Sequence, residues 1–166
     1  MTAPADYAVL FVCLGNICRS PLAEGVLRHR LAARGLDARV AVDSAGTGAW
    51  HVGEPADARS RAVARRHGVI LDGRARRVDP SDFERFDLVL AMDRSNLADL
   101  EALRPPGEVR ARLALFRAFD PLADGDLDVP DPYYGGPDGF ERVYEIVERA
   151  CEVLAHTIEE ELDGPG

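Results

Sequence analysis

The sequence contains no lysine: all 20 of its basic residues are arginine. We read this as a bias of codon usage or lineage, so it lends no weight to any single arginine. Cysteine is scarce and odd in number, with three in 166 residues. That set fits a reduced compartment and excludes the disulfide framework of a small secreted domain. It also argues against zinc, because Cys13 and Cys18 have no second ligand pair at usable spacing and the histidines at 29, 51, 67 and 156 are scattered. No apolar run approaches the roughly 20 residues of a membrane span, which excludes a membrane partner of that kind. The stretch from Ala8 to Leu14 is too short for a secretory signal and has no basic residue before it. The simplest compartment is the cytoplasm, with signal-independent export left open. An excess of positive charge is missing too. The formal net charge of −9 argues against nucleic acid as the main ligand, since backbone binding needs a broad cationic surface. One local positive pocket remains compatible with it.

What is present is enough chain for one domain. A hydrophobic fraction of 46% with 30% charged residues suits a globular fold that buries its core without metals or disulfides. We expect a single domain over residues 1–166, ordered from about residue 7 to residue 162. Ala8 to Val12 reads as a buried strand, and Leu22, Val26, Leu27 and Leu31 as one face of a helix that Gly35 ends. Val40 to Val42 is a second strand, and Ala58 to His67 is helical up to Gly68. Leu88 to Met92 is a third strand, followed by a helix capped by Asp93 or Ser95 and stopped by Pro105-Pro106. Leu113 to Phe116 reads as a fourth strand, although a helical reading is possible there. Residues 120 to 139 are rich in Asp, Pro and Gly and read as a long loop, ordered or disordered. Phe140, Val143, Val147, Cys151, Leu154, Ile158 and Leu162 then mark a helix at spacings of three and four. Such alternation predicts an α/β fold, a parallel sheet with helices on both faces and ligands beyond the strands' carboxyl ends.

At that end of the first strand stands CLGNICRS, Cys13 to Ser20. Five residues between Cys13 and Arg19 let a short loop curl with the sulfur at its floor, the arginine at its rim and backbone N–H groups of Leu14, Gly15, Asn16, Ile17 and Cys18 turned inward. Such a nest holds an anion. Gly15 is expected to allow an unusual backbone angle, and Ser20-Pro21 to supply the N-cap and first residue of the helix. A helix N-terminus favours both a phosphate and a thiolate. Cys13 alone could be a buried apolar cysteine; with Arg19 at this interval it reads as a nucleophile. Ser20 could also donate to the Cys13 sulfur, and Asn16 could bond across the loop to Ser44. Cys18 is either a small filler or a partner that captures an oxidised Cys13 as a disulfide. Cys151 reads as a core residue. The loop lacks the Gly-Lys-Ser/Thr ending of a nucleotide-binding Walker motif.

The stretches CLGNICRSPLAEG at 13 to 25, DSAGTGAW at 43 to 50, AMDRSNL at 91 to 97 and DPYYGG at 131 to 136 resemble the low-molecular-weight protein tyrosine phosphatase family, over nearly the whole chain and in the expected order. The resemblance implies a four-stranded parallel sheet and phosphotyrosine hydrolysis through a phosphocysteine, without metal or cofactor. It makes Cys13 the nucleophile, Arg19 the phosphate-binding arginine and Asp131 the general acid and then base. It assigns Trp50, Tyr133 and Tyr134 to the walls of a slot for the substrate ring. The implied partners are a phosphotyrosine protein or peptide, with inorganic phosphate as product and inhibitor; a monomer is the expected state, although the sequence does not decide it. One departure is Gly73, where many members place a histidine supporting the loop from behind. Arsenate reductases of this fold need further relay cysteines, and only Cys151 lies outside the loop. Arginine phosphatases tend to carry threonine at the position of Ile17, so its branched apolar side chain favours tyrosine.

Overall fold

A computed structural model describes residues 5–133, 136 and 138–164. Four strands, β1 (Tyr7–Cys13), β2 (Val40–Gly46), β3 (Leu88–Ala91) and β4 (Arg112–Leu115), form one parallel sheet in the order β2-β1-β3-β4. The central strand β1 is apolar at nearly every position because both of its faces are covered. Val9, Phe11 and Cys13 point into one core cluster, while Leu10 and Val12 point into the other. The helices α1 (Arg19–Ala33), α2 (Ala58–Arg66) and α5 (Asp138–Asp163) pack on the first cluster. The short α3 (Asp82–Arg85) and α4 (Arg94–Leu103) cover the second through Phe83 and Leu100.

The expected stripe of α5 is buried from Phe140 to Ile158, where each fully enclosed Leu or Ile contributes about 1.5–3 kcal/mol. The ambiguous segment 113–116 resolves as a strand, shifted one residue earlier, and a 3-10 turn follows at Phe116–Phe119. Asp93 caps α4 by accepting from the Asn96 amide at 2.7 Å. In the order β2-β1-β3-β4 the chain leaves β1 to one side and returns on the other. The carboxyl end of β1 is therefore the crevice where ligands bind in such sheets.

Two local expectations are corrected. Helix α1 begins at Arg19 rather than after a Ser20 cap, and its N-cap residue, Cys18, makes no side-chain capping bond. Ser20 is completely buried and its hydroxyl is engaged by the loop instead. The left-handed residue of the loop is Asn16, with φ of 58°, and not Gly15. Asparagine tolerates that region, and its side chain is held there by three bonds. Gly15 matters for space, because a Cβ there would sit 3.0 Å from the His51 ring.

Candidate active site

Cys13 ends β1 and Arg19 begins α1, so the intervening loop spans the junction between strand end and helix N-terminus. The Cys13 sulfur lies 2.9 Å from the Ser20 hydroxyl and accepts from the Asn16 backbone N–H at 3.3 Å. Behind the loop, the Asn16 side-chain amide donates to Ser20 at 2.8 Å and to Ser44 at 2.9 Å, while its carbonyl accepts from the Arg76 N–H at 2.9 Å. Ser44 in turn donates to Glu24 at 2.6 Å. Burial pushes the Glu24 carboxyl up, against the Ser44 and Arg28 interactions that pull it down. The bond expected between Asn16 and Ser44 is thus present, with Glu24 behind it. Gly73 lines a rear cavity of about 370 Å³ with Glu24 and Ser44, and a Cβ at Gly73 would meet nothing within 4 Å.

Arg19 is only 3% exposed. Its guanidinium donates to Asp93 at 2.6 Å and to the Val129 carbonyl at 3.0 Å, and a second nitrogen lies 3.7 Å from Asp131. Burial works against the Arg19 charge, but Cys13, Asp93 and Asp131 more than offset it, so it stays protonated. Asp131 stands on the long loop with its carboxylate accepting from the Tyr133 N–H at 3.0 Å. Pro132 restricts the backbone between them.

Cys13, Leu14, Gly15, Ile17, Cys18, Arg19, Trp50, Asp131 and Tyr133 line one cavity of about 330 Å³, together with His51. Asn16, Ser20 and Ser44 support it from behind, as described. Trp50 is 73% exposed at the rim and Tyr133 half as much, so the two offer apolar surface that a bound ring would cover. Tyr134 lies outside the described residues. Cys18 is buried, and burial, together with the negative charges of Asp57, Cys13 and Asp131, pushes its thiol up to about 12. It is a neutral thiol at neutral pH. All three cysteines are free, and Cys151 is fully enclosed under α1. No group of side chains suited to a metal ion occurs among the described residues, and no described helix is long and apolar enough to cross a membrane.

Three site residues escaped the sequence reading. Asp93 was legible as a cap but not as the partner of Arg19, because 74 residues separate them. His51 follows Trp50 directly and hydrogen-bonds Glu54 at 2.6 Å beside the cavity. Arg59 reaches the Tyr133 carbonyl across 74 residues.

Comparison with known proteins shows the family to which the chain is similar. A family model described as low molecular weight phosphotyrosine protein phosphatase matches residues 8–163. A low molecular weight protein-tyrosine-phosphatase of Streptomyces coelicolor is 52% identical over 95% of this chain and 97% of its own. The crystal structure of a protein tyrosine phosphatase from Entamoeba histolytica, with Hepes in its active site, superposes with a TM-score of 0.88 at 41% identity, covering 94% of this chain and 99% of that one. A Drosophila arginine phosphatase superposes with a TM-score of 0.85 at 34% identity, covering 91% and 97%.

Proposed function

The chain belongs to the low molecular weight phosphotyrosine protein phosphatase family, a family of phosphoric monoester hydrolases, and we propose that it hydrolyses phosphotyrosine in two steps through a phosphocysteine. The observation that carries this reading is the convergence of the Cys13 sulfur, the Arg19 guanidinium and the Asp131 carboxylate on one cavity. In the first step the Cys13 thiolate attacks phosphorus while the bond to the phenolic oxygen breaks. Asp131 delivers its proton to that oxygen, and tyrosine leaves. Proton delivery of this kind is worth about 10²–10⁴-fold. The Arg19 fork and the backbone N–H groups from Leu14 to Arg19 stabilise the charge on the transferring group.

In the second step the Asp131 carboxylate takes a proton from water attacking the phosphocysteine. The sulfur–phosphorus bond breaks, phosphate is released, and the thiolate is received by the Ser20 hydroxyl. Phosphate fits the same loop and so inhibits as it accumulates. The chemistry, nucleophile, arginine and acid all being side chains of the protein, calls on neither metal nor cofactor. Trp50 and Tyr133 wall the substrate ring, with Tyr134 assigned there by the resemblance.

Tyrosine is preferred to arginine because Ile17 presents an apolar branched side chain to the cavity, favouring a ring over a guanidinium. The likeness to the Drosophila arginine phosphatase makes phosphoarginine the competing substrate. Parallel assays on phosphotyrosine, phosphoarginine and phosphoserine peptides decide between them, with turnover expected on phosphotyrosine. Cys13→Ser should abolish turnover and leave binding of inorganic phosphate nearly intact, and a near-normal rate in that variant overturns the mechanism.

Peroxide offers a further test of the loop. Oxidation of the Cys13 thiolate gives a sulfenic acid, and attack by Cys18 expels water and forms a disulfide. Because the attacking species is the thiolate, a Cys18 pushed up to about 12 reacts slowly. Intact mass after mild oxidation should show the loss of two hydrogens, absent in Cys18→Ser.

A further inference from the structure

The loop that carries Asp131 has no helix or strand over residues 120–133, yet a proton donor must be held within reach of the leaving oxygen. The structure assigns that task to Arg59: we propose that its guanidinium is a clamp tying the Asp131 loop to the phosphate-binding loop. The proposal rests on the reading of Asp131 as general acid.

Arg59 is the second residue of α2 and holds two segments at once. Its Nε and one terminal nitrogen donate to the two carboxylate oxygens of Asp57, each at 3.1 Å. Its other terminal nitrogen donates to the Tyr133 carbonyl at 3.3 Å. The guanidinium carbon lies 5.3 Å from the centroid of the Tyr133 ring and 4.6 Å from that of Phe140 at the start of α5, distances at which a cation is attracted to a ring.

Both ends of this clamp are anchored in the catalytic loops. The Asp57 backbone N–H donates to the Ile17 carbonyl at 2.7 Å, and its carboxylate caps α2 by accepting from the Arg59 N–H at 2.8 Å. Burial would raise the Asp57 carboxyl, but the Arg59 donors outweigh it and hold it below the usual range. At the far end the Tyr133 N–H is the donor that fixes the Asp131 carboxylate at 3.0 Å. The path therefore runs from Ile17 in the phosphate-binding loop through Asp57, Arg59 and Tyr133 to Asp131.

An ordinary exposed pair of arginine and aspartate contributes little. This one differs because a single planar group meets a carboxylate, a carbonyl and two rings. Lysine cannot reproduce that, since its ammonium is a point charge without a fork or a stacking plane. Arg59 touches no reacting atom, so it acts as a positioning residue through Tyr133.

The test is kcat/KM, which reports events through the first bond cleavage, over a series of aryl phosphates of increasing leaving-group pKa. In Arg59→Ala the poorest leaving group should lose roughly tenfold, short of the ~100-fold that a 1 Å misplacement can cost because Tyr133 still holds Asp131, while the best loses little. Inhibition by phosphate should stay at the wild-type level, because the anion nest is untouched. Arg59→Lys should not restore the slope. Asp131→Asn should steepen it as well, and adding Arg59→Ala to that variant should steepen it no further. If Asp131→Asn steepens the slope and Arg59→Ala does not, the clamp is overturned while the acid reading stands. A flat response in Asp131→Asn sinks the acid reading itself. Weakened phosphate inhibition in Arg59→Ala, or full rescue by lysine, also overturns the clamp, the first by moving its action to the nucleophile loop and the second by reducing it to charge.

Discussion

The hydrogen bonds around Cys13 have a fixed direction, and that direction decides where the Ser20 proton goes. The Arg76 N–H can only donate, so the Asn16 carbonyl must face it and the Asn16 amide must face Ser44 and Ser20. Ser44 gives its proton to Glu24 and accepts from Asn16. Ser20 likewise accepts from Asn16, which leaves its one proton for the Cys13 sulfur at 2.9 Å rather than the Ala45 carbonyl at 3.5 Å. A donor held on the sulfur matters most when the sulfur is the leaving group. Ser20→Ala should therefore slow hydrolysis of the phosphoenzyme by about tenfold, the effect of roughly one hydrogen bond to a charged group. Rapid-quench measurements should show a burst of phenol and accumulated phosphoenzyme in that variant, and a steady-state loss without a burst would contradict the role given to Ser20.

At the scale of elements, the end of β3 and the start of α4 perform two tasks with one side chain. One oxygen of Asp93 caps α4 through the Asn96 N–H, and the other holds Arg19 at 2.6 Å. Asparagine has a single acceptor oxygen, and as a neutral cap it is as good as aspartate. Asp93→Asn should keep the cap but deprive the buried Arg19 of its nearest carboxylate, lowering kcat/KM about tenfold and costing about 2 kcal/mol, whereas Asp93→Ala should lose about 1 kcal/mol more because the cap goes too. A thermal melt beside an activity assay separates them. This dual use also marks what sequence reasoning could reach. The strands β1 and β3 and the stripe of α5 were legible because their signal is local periodicity, and Asp93 was legible as a cap for the same reason. The Cys13 to Arg19 interval was legible because the loop is contiguous. The partnership of Asp93 with Arg19, the reach of Arg59 to Tyr133 and the place of His51 beside Gly15 depend on segments that only the sheet order brings together. The start of α1 was misread because Ser20, a good cap by type, is taken by Cys13 and Asn16.

At the scale of the whole molecule, a chain of net charge −9 can still offer an anion site, because the positive Arg19 is buried at the crevice while most carboxylates lie on outer faces. One carboxylate is an exception with consequences for stability. Asp120 is buried where the 3-10 turn enters the long loop, and it accepts from Arg149 of α5 at 3.0 and 3.2 Å, from Arg117 at 3.3 Å and from the Leu122 N–H at 3.0 Å. It joins the root of the Asp131 loop to the longest helix. Burial would raise its carboxyl, but Arg149, the Leu122 amide and Arg117 outweigh it and hold it below the usual range. A carboxylate depressed in the folded state contributes stability that is complete above its unfolded value, about 3.9, and is lost as pH falls through the folded one. Asp120→Asn should accordingly cost about 2 kcal/mol at pH 7, below the full cost of breaking a buried pair because both arginines retain access to water. Urea unfolding followed from pH 7 downward should show the wild-type and variant curves separated and parallel until about pH 4 and converging below it as Asp120 takes up its proton. A gap that persists to pH 2 would mean that the side chain acts through shape alone, and that its charge does not fasten the loop to α5.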